Sequence, residues 1–140
     1  MTNTAFSNVE YIKLREYIKK HDYLINCQNI DMGFLKSFLI EKRSCIMRLL
    51  ENPNLLEQES FTDLLWAVSH LTEELSYRKN VQQLTIPDRT HLEGDIERTL
   101  SLLTTEWLVY VKHLQKYYPY IYSLVIRTNP FILNSSAEVK

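Results

Sequence analysis

The chain has 140 residues, the size of one domain, and its hydrophobic content of 45% is sufficient for an ordinary core. Sixteen basic residues against seventeen acidic ones leave a net charge of −1, which argues against nucleic acid or an anionic membrane as a partner. Two glycines, four prolines and no strand-length alternation argue against a β-sheet. We therefore predict one all-α domain over residues 1–140, with frayed tails at about 1–7 and 133–140.

The N-terminus carries neither the basic flank nor the apolar run of a secretory signal, and no segment approaches the roughly 18 apolar residues of a membrane span. We expect a cytoplasmic protein that does not insert into a membrane. Cys27 and Cys45 lack the spacing of a metal site, so we predict two buried, reduced thiols at helical positions.

The first half of the chain predicts two helices. The first runs from about Asn8 to Cys27 and places its apolar residues on one face, and the second runs from Asp31 to Glu51. Asn52-Pro53-Asn54 ends the second helix, because proline lacks a backbone donor and restricts the residue before it.

A third helix is predicted from about Phe61 to Lys79, with Ser60 as its N-cap and Asp63 completing an approximate capping box. Its core stripe comprises Phe61, Leu64, Leu65, Val68, Leu71, Thr72 and Leu75. In the connection that follows, Thr85 and Pro87 suit the N-cap and first turn of the next helix.

The longest helix is predicted from Pro87 to Tyr118, roughly 45 Å at the usual rise per residue. Its apolar stripe comprises Leu92, Ile96, Thr99, Leu100, Leu103, Trp107, Val111, Leu114 and Tyr118. Beyond Pro119 a short fifth helix ends near Asn129-Pro130. The predicted fold is a bundle of four main helices plus this short one, with the third and the long helix as a central antiparallel pair.

An outward-facing line on the third helix exceeds what core packing requires. Trp66, His70, Glu73 and Tyr77 follow an i, i+4, i+7, i+11 pattern on one face. Three readings stay open: burial by the chain's own helices, an interface with a second copy or a partner, or a small-molecule site. A cluster of tyrosines extends the candidate interface: Tyr117, Tyr118, Tyr120 and Tyr122.

A metal site is the alternative, carried by His70, Glu74, His91 and Asp95 at helical spacing. The Glu-x-x-His motif of dimetal bundles is absent, which favours solvated polar faces and no cofactor. Glu106 and His113 share a flank of the long helix and could exchange a proton, but no nucleophile, glycine loop or paired carboxylates accompany them. We predict no catalytic residue.

Two stretches carry a family resemblance: FTDLLWAVSHLTEELSYR at 61–78 and EWLVYVKHLQKYYPYIYSLVIRTNPF at 106–131. They resemble the helical cytosolic C-terminal region of prokaryotic potassium-channel-like proteins. The preceding FLIEKRSCIMRLLENPNLLEQESF fits this pattern more loosely. No pore helix or selectivity-filter sequence is present, so the resemblance implies a free-standing helical module without ion conduction. It favours self-association, because channel subunits assemble symmetrically.

Together these features predict a non-enzymatic interaction or regulatory module that forms a homodimer. A membrane channel or sensor is a further possible partner. The alternative is a small-molecule- or metal-binding bundle, with enzymatic activity left open.

Overall fold

The computed structural model describes residues 8–129 and residue 138, with the side chain of Leu56 excepted, and within these residues the chain is helical without a strand. The helices are α1 (Asn8–Lys20), α2 (Met32–Leu50), α3 (Pro53–Leu56), α4 (Glu59–Ser76), α5 (Ile86–Tyr117) and α6 (Pro119–Arg127), and a 3₁₀ turn covers Cys27–Asn29. The predicted all-α bundle with one long helix is confirmed, and α3 is an additional element. The two predicted frayed tails lie outside the described residues, apart from residue 138.

The first helix is shorter than predicted, because it ends at Lys20 rather than near Cys27. The Asp22 carboxylate accepts a hydrogen bond from the Leu24 backbone N–H at 3.0 Å, and Leu24 has a positive φ of 49°. The Asn26 side chain likewise accepts from the backbone N–H of Gln28, at the start of the 3₁₀ turn. Short polar side chains that bond to nearby backbone in this way compete with helix formation.

Ser60 is not the N-cap of α4, contrary to prediction. Helix α4 begins at Glu59, and the preceding Gln58 makes no capping hydrogen bond through its side chain. The chain is already turning upstream, since α3 starts at Pro53 with the Asn52 side chain as its cap. Ser60 therefore lies inside the first turn.

Helices α4 and α5 form the predicted antiparallel pair at the centre of the bundle. Helix α4 packs against α2 on one side and α5 on another, and α5 continues along α1 and α6. The predicted N-cap of α5 is confirmed, because the Thr85 hydroxyl accepts a hydrogen bond from the Asp88 backbone N–H at 3.3 Å. None of the described helices is long and apolar enough to cross a membrane.

The main core lies between α2, α4, the start of α5 and the 3₁₀ turn. Its buried residues are Cys27, Met32, Leu39, Leu71, Leu75, Val81, Leu92 and Ile96. Cys27 is buried as predicted, whereas Cys45 is exposed, and both thiols are free. Leu103 of the predicted α5 stripe is half exposed and Leu108 outside it is buried, because the helix that covers α5 changes along its length.

Candidate metal centre

Four side chains converge where α4 and α5 face each other, close to the connection that joins them. His70 and Glu74 stand one turn apart near the end of α4, and His91 and Asp95 stand one turn apart near the start of α5. Because the helices are antiparallel, the two pairs meet. One ligand atom from each residue lies within 4.8 Å of the other three. We call these four residues the cage.

Each histidine nitrogen in the cage faces both carboxylates. The Nε2 atom of His70 lies 3.5 Å from Glu74 Oε1 and 3.2 Å from Asp95 Oδ2. The Nε2 atom of His91 lies 3.3 Å and 3.4 Å from the same two oxygens. Ligands at the usual zinc distances are separated by about 3.3–3.6 Å in a tetrahedron. Four of the six ligand–ligand distances are therefore close to those of a tetrahedral site.

Asp95 is the least expected member of the cage, because only 5% of it is exposed. Its Oδ2 atom is buried and makes no hydrogen bond within the described structure, although it faces both imidazoles. The nearest guanidinium, that of the exposed Arg98, approaches the other oxygen at 3.9 Å. A buried carboxylate oxygen needs a proton donor or a cation to offset its loss of water. The prediction of a solvated polar face is wrong for Asp95, since packing of α4 against α5 covers it.

Glu74 is held in its ionised form by its neighbours. The Arg78 Nη1 group donates a hydrogen bond to Glu74 Oε2 at 2.7 Å, which leaves Oε1 to face the cage. This bond is the main cause of a lowered pKa at Glu74, and a hydrogen bond from His91 adds to the effect. An ionised Glu74 supplies negative charge of the kind that suits a divalent cation.

Two imidazoles and two carboxylates suit Zn²⁺ and other divalent first-row ions such as Mn²⁺ and Fe²⁺. Four protein ligands would complete a tetrahedral zinc site, the arrangement of structural zinc. Both imidazoles are about half exposed, so a metal of higher coordination number could also take up a ligand from solvent. Such an ion would act as a Lewis acid.

The candidate interface residues on α4 lie at the surface. Trp66 is 59% exposed and Tyr77 is 82% exposed. Glu73 is exposed and pairs with Arg43 of α2 at 3.1 Å, while His70 belongs to the cage. Tyr117, at the other end of α5, and Tyr120, in the first turn of α6, are also exposed. Burial of Trp66 and Tyr77 by the described part of the chain is therefore excluded.

Sequence reasoning missed two residues that surround the cage. Arg78 bonds to Glu74 and also to both carboxylate oxygens of Asp88. The Glu74–Arg78 spacing of four residues was a visible signal for one of these contacts. The contact to Asp88 spans the connection between the helices, and helical periodicity gives no information about it.

The family comparisons agree with the helical architecture. Residues 1–127 match the family described as "Uncharacterized protein MJ1433, C-terminal helical domain". Over 121 residues the chain is 44% identical to the uncharacterized protein MJ1433 of Methanocaldococcus jannaschii, covering 86% of this chain and 49% of that protein. The chain thus spans about half the length of this curated relative.

No solved structure matches the chain. Neither the family description nor the relative's name mentions a channel, so the potassium-channel resemblance stays a prediction. The extent of the family match and the identity to the archaeal protein together place this chain in the family of the MJ1433 C-terminal helical domain.

Proposed function

We propose that this helical domain binds one divalent transition-metal ion, with Zn²⁺ as the first candidate, through the cage. The observation that carries the proposal is the buried Asp95 Oδ2 atom, which lacks a hydrogen bond while facing two imidazole nitrogens. This departs from the expectation that the protein needs no cofactor.

Proton counting favours a metal over an ordinary hydrogen-bond network. The two Nε2 atoms face two carboxylate oxygens across four short N–O distances of 3.2–3.5 Å. Each Nε2 carries at most one proton, so two protons can bridge two of these contacts well. A single cation at the centre would engage all four lone pairs at once, and its charge would offset both carboxylates.

The position of the cage suggests what the ion would do. It would link α4 to α5 beside their connection and bind the folded hairpin only, because the unfolded chain does not hold the four ligands together. At a free-ion concentration about 100-fold above the dissociation constant, such binding adds about 2.7 kcal/mol to the stability. The proposed role is therefore a metal-stabilised helical hairpin.

Elemental analysis of protein purified without a histidine tag tests the proposal. We expect close to one zinc, iron or manganese ion per chain, retained on gel filtration and lost in His91→Ala. His113→Ala is the matched control, because this histidine lies on the same helix and contacts Tyr117 and Tyr118 instead of the cage. A wild-type protein that stays metal-free and whose melting temperature is unchanged by Zn²⁺, Mn²⁺ or Fe²⁺ contradicts it.

Self-association is a second candidate function, favoured by the exposed Trp66 and Tyr77 on one face of α4. Large exposed aromatic side chains are typical of protein interfaces. We propose that this face, with the tyrosines near the end of α5, contacts a second copy of the chain. A membrane channel or sensor is the alternative partner, and a pull-down with membrane fractions addresses it.

Light scattering over a range of concentrations tests self-association. We expect the mass of a dimer for the wild type and of a monomer for Trp66→Glu, a change at an exposed position that should leave the fold intact. A wild-type protein that remains monomeric at high concentration rules out this second function.

A further inference from the structure

We propose that Arg78 is a positioning residue for the metal site, which orients Glu74 so that one carboxylate oxygen, Oε1, reaches the ion. The inference rests on the proposed metal-binding function. In this role Arg78 makes the site prefer a small, four-coordinate ion to a larger cation such as Ca²⁺.

The guanidinium of Arg78 is held on both sides. Its Nε and Nη2 groups donate to the two carboxylate oxygens of Asp88 at 2.8 and 2.5 Å, and its Nη1 group donates to Glu74 Oε2 at 2.7 Å. The Nη1 group also lies against the Glu74 backbone carbonyl. With its donors engaged in this way, the planar group has one orientation, and Glu74 Oε2 is fixed with it.

The backbone beneath Arg78 is tied to the rest of the bundle as well. The Lys36 ammonium group of α2 donates to the Arg78 carbonyl oxygen at 2.5 Å. Asp88, in the first turn of α5, fixes the guanidinium from the opposite side of the connection. Three helices therefore determine where the Arg78 side chain lies.

The consequence for the cage is a restricted carboxylate. While Oε2 accepts from Arg78, the remaining oxygen Oε1 faces the Nε2 atoms of His70 and His91. Ca²⁺ commonly takes six to eight oxygen ligands and uses bidentate carboxylates, whereas zinc sites are four-coordinate. By occupying Oε2, Arg78 disfavours the bidentate mode and thus the larger cation.

Arg78→Gln and Arg78→Lys test this role, with Arg43→Gln as the matched control. Arg43 pairs with Glu73, the residue next to Glu74, without contacting the cage. We expect Zn²⁺ affinity, measured by chelator competition, to fall about 10- to 100-fold in Arg78→Gln, less in Arg78→Lys, and not in Arg43→Gln.

The visible spectrum of bound Co²⁺ separates positioning from simple support of the fold. We expect the intense absorption of four-coordinate Co²⁺ in wild type and Arg43→Gln, and a weaker spectrum of higher coordination number in Arg78→Gln. Ca²⁺ should raise the melting temperature of Arg78→Gln more than that of wild type. If Arg78→Gln keeps the Zn²⁺ affinity, the Co²⁺ spectrum and the Ca²⁺ response of the wild type, the inference is overturned.

Two further outcomes keep the two proposals distinguishable. If the wild type binds no metal, the proposed function fails and this inference fails with it. If the wild type binds metal and the Arg78 variants bind it equally well, the metal site stands and only the role of Arg78 is overturned. Should Arg78→Gln not fold by circular dichroism, Asp88→Asn releases the guanidinium from one side and leaves all four ligands intact. The same changes in smaller degree then support the role of Arg78, and an unchanged Co²⁺ spectrum and affinity overturn it.

Discussion

The two ends of α5 are built differently. Its N-terminal half is covered by α4 and the main core, where Leu92 and Ile96 are buried and the cage and the Arg78–Asp88 pair add polar contacts. Its C-terminal end meets α6, which has no fully buried residue and begins without a capping side chain. The aromatic residues there are mainly exposed.

This difference indicates that continuity of a helix does not make its stability uniform. Both ends belong to one unbroken helix of 32 residues, and Val111 and Leu114 are buried near its C-terminus. At the N-terminal end, core packing is combined with the Thr85 cap and the Arg78–Asp88 ion pair. We therefore expect local opening to begin at α6, because none of its side chains is fully buried. Three experiments test this comparison.

The largest expected effect comes from a matched pair of leucine truncations, one in each region. Leu92 is 0% exposed in the main core, and Leu124 of α6 is 44% exposed. We expect Leu92→Ala to lower the free energy of unfolding by about 2–5 kcal/mol, through lost burial and a residual cavity. Leu124→Ala should cost about 1 kcal/mol or less. Urea denaturation measures both, and equal losses would contradict the comparison.

A smaller effect is expected at the start of α5. The Thr85 hydroxyl caps this helix, so Thr85→Ala should destabilise the protein by about 1 kcal/mol. Ser60→Ala is the control, since Ser60 lies within the first turn of α4 rather than at its cap. Thermal unfolding followed by circular dichroism gives both values. A larger loss in Ser60→Ala would restore Ser60 as the cap.

The smallest expected effect is a loss of folding stability at acidic pH. Hydrogen bonds from Arg78 lower the pKa of Asp88 below its ordinary value. The stability from this pair is therefore present above the unfolded pKa, about 3.9, and is lost as pH falls through the lower folded pKa. We expect metal-free wild type to lose more stability than Asp88→Asn between about pH 6 and pH 3, by about 1 kcal/mol or less. Identical acid profiles would exclude this contribution.

Periodicity predicted the helices where one face is continuously apolar, and it failed where short polar side chains compete for the backbone. The Thr85 cap and five of the seven predicted stripe residues of α4 are confirmed, because local chemistry determines both. The buried Ala67 was not part of the predicted stripe. The early end of α1 depends on the Asp22 and Asn26 side chains, whose local hydrogen bonds outweigh an amphipathic pattern.

The candidate site shows the same division. The sequence identified the four residues of the cage as two helical pairs, but it treated Asp95 as solvated because acidic residues are usually exposed. Its burial depends on how closely α4 approaches α5, which no single helix encodes. The contact between Arg78 and Asp88 likewise required the turn between the helices.

By itself, the sequence determined the all-α class, the central helix pair and the spacing of each histidine from its carboxylate, since these follow from the 3.6-residue repeat and from prolines that limit the helices. Only the tertiary structure decided that the two pairs face each other and that Asp95 Oδ2 is buried without a hydrogen bond. The physical reason is that periodicity defines the faces of one helix, whereas the rotation and register between two helices depend on how their side chains pack.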